Sequence, residues 1–76
     1  MVTAYVTVTA SSGDVDRIKP AIAGIDEAIE RVNVVAGDVD YVVKARVDGL
    51  SDLKGIAASL RELDDIEDTQ TYIGMD

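Results

Sequence analysis

Asp38 and Asp40 stand two residues apart in Gly37-Asp38-Val39-Asp40, between two valine-rich runs, and they are the side chains best suited by type and spacing to do chemistry. Two carboxylates beside free backbone N–H groups complement a zwitterion, the acids taking an ammonium group and the amides a carboxylate. The same residues also make a complete tight connection between antiparallel strands, since Gly and Asp supply positive φ and side-chain bonds to the local backbone. Spacing alone favours the connection.

Little else in the chain offers reactivity. It has no Cys and no His, which removes thiol nucleophiles, imidazole bases and the usual ligands of zinc and iron. No catalytic residue, cofactor or metal site is expected. Glu62, Asp64, Asp65, Glu67 and Asp68 offer oxygen ligands but lack the spacing of an EF-hand loop, and they read as a solvated acidic connection. Ser11, Ser12 and Gly13 before a helix suggest an anion site, which Asp14 and Asp16 oppose. Tyr5, Tyr41 and Tyr72 are too poor in basic neighbours to stack nucleobases.

Fifteen acidic and seven basic residues give a net charge of −8, a field that repels nucleic acid, so no direct DNA or RNA binding is expected. Asp far outnumbers Glu, and lysine is confined to Lys19, Lys44 and Lys54. An Asp-rich, Lys-poor surface spread over the chain resembles the halophilic proteins of salt-loving archaea, where high salt screens self-repulsion. The opening MVTAYVTVTASSG lacks a positive n-region and alternates apolar with polar residues, and no apolar run reaches membrane-spanning length. A cytoplasmic protein without membrane contact is expected.

At 76 residues the chain has room for one domain with a modest core. Val2, Ala4, Val6 and Val8 alternate with Thr3, Tyr5, Thr7 and Thr9, the period of a half-buried strand. Val15, Ile18, Ile22 and Ile25 then fall at helical spacing, with Ser12 or Asp14 as N-cap, Gly24 as the closing residue, and Pro20 predicting a kink or a late start. Strands are predicted at 29–36, 41–47 and 69–73, the first two forming a hairpin. A helix capped by Ser51 carries the stripe Leu53, Ile56, Ala57, Leu60 and Leu63.

The order β-α-β-β-α-β is that of an α+β, ferredoxin-like sandwich with both helices on one face of a four-stranded antiparallel sheet. Strict alternation places Tyr5, Thr7, Arg31, Asn33, Val35, Lys44, Arg46, Gln70 and Tyr72 on the other face, leaving Tyr41 to strand packing. A mixed aromatic and charged sheet face is an association surface. Arg31, Lys44 and Arg46 there are expected to meet acids of a second subunit, in a homodimer or higher oligomer.

Val35-Ala36-Gly37-Asp38-Val39-Asp40-Tyr41 matches a V-x-G-x-[YF]-D-[YL] turn, and Thr69-Gln70-Thr71 a T-x-T in the last strand. With these motifs the chain resembles, over its full length, the effector-binding domain of the leucine-responsive/AsnC (feast/famine) transcription regulators. The resemblance implies the same βαββαβ fold, a dimer formed through the sheet, and a small effector, often an amino acid, held between dimers. By position it implies that Gly37, Val39 and Asp40 line that site beside Asp38 and Tyr41, with Thr69 and Thr71 reaching it from a neighbouring subunit. Val39 stands where the family has an aromatic residue, which removes one wall of the pocket. Met1 stands just before the first strand, so no helix-turn-helix is expected, and full-length regulators of the family become the expected partners.

Two alternatives share the fold. An ACT-like amino-acid-binding regulatory domain would use the loop ending at Gly13, and a small dimeric oxygenase or isomerase would have to work with carboxylates alone.

Overall fold

The computed structural model describes residues 1–74. Its elements are β1 (Val2–Ala10), α1 (Val15–Ala23), β2 (Ile29–Val34), β3 (Tyr41–Val47), α2 (Leu50–Arg61) and β4 (Ile66–Ile73), the order the sequence predicts. The four strands form one antiparallel sheet in the order β2-β3-β1-β4.

The alternation in β1 does what a period of two requires: Ala4, Val6 and Val8 are fully buried on the helix side, and Tyr5 is exposed on the other. Tyr41, Val43, Ala45 and Val47 of β3 lie beside them. The helices close this layer with Ile18 and Ile22 of α1 and Leu53, Ile56 and Leu60 of α2. Leu63 packs against the core from beyond the end of α2.

Several boundaries differ from the sequence reading. Helix α1 starts at Val15 and continues through Pro20, so there is no late start. Pro20 has no N–H for the Asp16 carbonyl, but both residues are exposed, where water replaces the missing donor. Gly24 occupies the C-cap at φ −86°, an ordinary helical value. Neither proposed N-cap works through its side chain: Asp14 holds the position without a side-chain cap bond, and its carboxylate accepts from Arg17 Nε at 3.1 Å. Helix α2 begins at Leu50 with Gly49 as N-cap, which puts Ser51 inside the first turn. Strand β4 starts at Ile66, so part of the predicted acidic connection is strand.

Arg17 ties the upper edge together. It reaches Asp65 as well as Asp14, while Ser11 N donates to the Asp65 carbonyl at 2.8 Å. The β1–α1 and α2–β4 connections are thereby joined.

Candidate functional site

The sheet face away from the helices is ordered in cross-strand rows. One row is Gln70, Thr7, Val42 and Asn33; the next is Tyr72, Tyr5, Lys44 and Arg31; Asp68 lies beside Thr9 and Thr3 beside Arg46. The expected face residues are therefore together, except Val35, which lies beyond the end of β2. Val42, Thr9 and Asp68 belong to this face as well, and each extends the alternation of its own strand by one step.

A register shift between Ile29 and Arg31 sets Glu30 near two of the basic residues, with Lys44 Nζ at 4.0 Å and Arg46 Nε at 3.9 Å. Strict alternation had put Glu30 on the opposite face. A bulge lets two residues of one strand oppose one of its neighbour, which re-aims the extra side chain. Lys44 and Arg46 thus find an acid within their own chain, and of the three bases expected to meet a second subunit only Arg31 has no ion pair among the described residues.

The connection 35–40 folds against the end of β1. Asp40 N donates to the Val8 carbonyl at 2.9 Å, Val35 N donates to the Asp40 carbonyl at 2.9 Å, and Ala10 N donates to Asp40 Oδ2 at 2.8 Å. One carboxylate oxygen of Asp40 is therefore engaged inside the chain. Asp38 is exposed. Gly37 has φ +143°, a value that L side chains rarely adopt, although a Cβ there would meet nothing within 4 Å. Among the described residues, the N–H groups of Ala36, Gly37, Asp38 and Val39 bond to no other backbone group.

An open groove of about 430 Å³ lies where this connection meets the sheet. Asp38 and Val39 line it from the connection, Thr7 and Thr9 from β1, and Asp68, Thr69, Gln70 and Tyr72 from β4. Tyr72 Oη donates to Gln70 Oε1 at 2.7 Å. Three of the expected effector residues, Asp38, Val39 and Thr69, are brought together here with three of the expected association face, Thr7, Gln70 and Tyr72.

Thr69 reaches the groove from the helix-side register of β4, and the expected effector residues other than Asp38, Val39 and Thr69 lie elsewhere within one chain. Thr69 and Thr71 pair with Val8 and Val6 and so belong to the helix-side register of β4. Thr69 is buried, and its Oγ1 accepts from Arg61 Nε at 3.2 Å. Thr71 lines a separate apolar hollow with Leu50, Leu53, Lys54, Ala57 and Ile73. Tyr41 is 1 % exposed and packs in the core, and Gly37 and Asp40 shape the connection without lining the groove.

Burial first, and then the neighbouring charge of Asp40, raise the Tyr41 phenol above its ordinary value. The fold favours the neutral phenol, so its contribution to stability is complete below about pH 10 and is lost as the pH rises past that value. Between about pH 9 and pH 11, urea unfolding of the wild-type protein should therefore show a loss of stability that Tyr41→Phe reduces; an equal loss in both proteins would refute it.

A family model, the Lrp/AsnC ligand binding domain, matches residues 3–76. The chain belongs to this family. As an Lrp/AsnC domain it is similar to the crystal structure of FFRP-DM1, with a TM-score of 0.86 and 26% identity over 99% of this chain and 100% of that one. It is similar also to a protein of Thermus thermophilus, with a TM-score of 0.89 and 25% identity over 100% and 95%. A feast or famine regulatory protein from M. tuberculosis, complexed with L-methionine, shares the fold at a TM-score of 0.79 and 24% identity; this Lrp/AsnC domain covers 51% of that chain. No curated protein matches the sequence. Among the described residues no helix is long and apolar enough to cross a membrane, and no cluster of three or more metal-ligating side chains is present.

Proposed function

We propose that this domain is a cytoplasmic amino-acid-sensing and oligomerisation module that takes part in transcription regulation through protein contacts, without catalysis and without binding DNA itself. The observation that carries the reading is the groove in which Asp38 and Val39 meet the association face, in a chain of a ligand-binding family. Family membership favours it over the ACT-like and oxygenase alternatives.

In the proposed assembly two or more copies associate through the open face, with the row Tyr72, Tyr5, Lys44 and Arg31 running across it from one edge strand to the other. Where such dimers meet, through a second contact away from the open face, Thr69 and Thr71 of one copy are proposed to approach the 37–40 connection of another. The exposure of Tyr72, at 53 %, fits burial by a second subunit. Full-length Lrp/AsnC regulators are the proposed hetero-partners, and the effector shifts the balance between assemblies by binding one of them more tightly. The two helices are separated by β2 and β3, so the described residues contain no helix-turn-helix, and the charge of −8 opposes contact with phosphates. The acidic surface is proposed to suit a halophilic cytoplasm.

The test is thermal unfolding in molar KCl with each common amino acid, combined with light scattering. A ligand that binds only the folded form stabilises it by RT ln(1 + [L]/Kd), about 2.7 kcal/mol at a hundredfold excess over Kd. A rise in Tm with one or a few amino acids, in a species larger than a monomer, is expected. No rise with any of them would overturn the sensing role.

A further inference from the structure

The balance of charges around the groove goes one step beyond the sensing role, on which this inference rests. Two carboxylates line it, Asp38 from the connection and Asp68 from β4, and both residues are exposed. No basic side chain lines it; the rest of the lining is hydroxyl, amide and apolar. Of the bases on this sheet face, Lys44 and Arg46 lie beside Glu30, and Arg31 stands on β2, at the opposite edge of the sheet from β4. Asp40 does not add a third carboxylate, because it does not line the groove and its Oδ2 accepts from Ala10 N at the end of β1.

A neutral amino acid uses one carboxylate for its ammonium group and the N–H groups of Asp38 and Val39, unpaired among the described residues, for its own carboxylate, leaving the second Asp unanswered. An acidic ligand would place a further negative charge beside two others. We infer that the groove selects an α,ω-diamino acid: Asp38 takes the α-ammonium beside the backbone donors, and Asp68, on β4 at the other side of β1, takes the terminal ammonium. The stem of the ligand then crosses Val39 and the methyl groups of Thr7 and Thr9.

Lysine and norleucine differ only in the terminal ammonium, so they isolate the term. Calorimetric titration of the wild-type protein at one fixed salt concentration should show lysine or ornithine binding at least about tenfold more tightly than norleucine, the ratio expected for one charge-assisted hydrogen bond. Glutamate should bind more weakly than either. In Asp68→Asn the ratio of lysine to norleucine affinity should fall close to one, with unchanged circular dichroism showing that the fold is retained. Equal binding of lysine and norleucine by the wild-type protein, or a ratio that Asp68→Asn does not move, overturns the diamino-acid assignment and leaves amino-acid sensing standing. Binding of none of these ligands overturns both.

Discussion

Replacing Asp40 by alanine is expected to lower the unfolding free energy by about 2 kcal/mol with no ligand present. The carboxylate accepts the Ala10 N–H at 2.8 Å in a partly buried setting, holding the connection 35–40 onto the end of β1. Alanine leaves that donor unpaired, and a lost hydrogen bond to a charged group costs about 1.5–3 kcal/mol. For a domain of this size the change corresponds to a fall in Tm of about 8–16 °C. The backbone bonds of Asp40 to Val8 and Val35 survive the substitution, so the connection should loosen rather than invert. Asp40→Asn retains an acceptor oxygen and should lose less than half as much. Urea unfolding of both variants decides the matter: a loss under about 0.5 kcal/mol in Asp40→Ala would show that the bond does not hold the connection. The same pair separates two meanings of a lost ligand response, since Asp40→Asn removes charge at little structural cost.

Leu60→Ala should cost more, about 3 kcal/mol and a fall in Tm of about 12–24 °C. Leu60 lies in the last full turn of α2 with no exposed surface, packed in the same cluster as Val6, Val8, Val43 and Ile56. Truncation loses the transfer free energy of the side chain and leaves a cavity that a sheet and a helix, both fixed by backbone hydrogen bonds, cannot collapse to fill. So small a core leaves few other side chains to compensate. The next residue, Arg61, reaches Thr69, so loosening this turn should also disturb the helix-side contact of β4. Leu60→Met keeps the volume and should cost less than about 1.5 kcal/mol. If Leu60→Ala unfolds in urea within about 1 kcal/mol of wild type, the turn is not packed as described.

The parts of this fold that were legible are those that depend on local periodicity. β3 begins at Tyr41 and ends at Val47 as predicted, because alternation and a flanking Gly/Asp pair bound it on both sides. The buried stripe of α2 was legible for the same reason, although the helix starts one residue before the capping Ser51. What escaped reading depends on partners distant in sequence. The bulge at Glu30 exists only relative to β3, and no run of β2 residues announces it. The Asp40–Ala10 bond joins residues 30 apart, so the composition of Gly-Asp-Val-Asp gave no sign that one of its acids was already engaged. The resemblance named Thr69 and Thr71, and the same alternation that places Gln70 and Tyr72 on the open face puts these two on the other side. Asp68 was concealed because the sequence reading starts β4 at Thr69 and leaves Asp68 in the acidic connection. An acidic run and an acid-bearing strand start look alike until pairing with Thr9 distinguishes them.

The sheet order has a consequence for how the chain folds as it is made. β1 is an interior strand, yet one of its two neighbours is the last strand, and Thr7 Oγ1 donates to the carbonyl of Gln70, 63 residues further along. From the completion of β3 until β4 has been made, β1 can be flanked by β3 alone, with its other edge open to strand addition from a second nascent chain. At about 5–20 residues per second this interval lasts seconds, and closing it requires a contact of high sequence separation, which places the final docking of β4 among the slower events of folding. Acidic residues at the start of that strand, Glu67 and Asp68, repel their counterparts on other chains while β4 waits to dock.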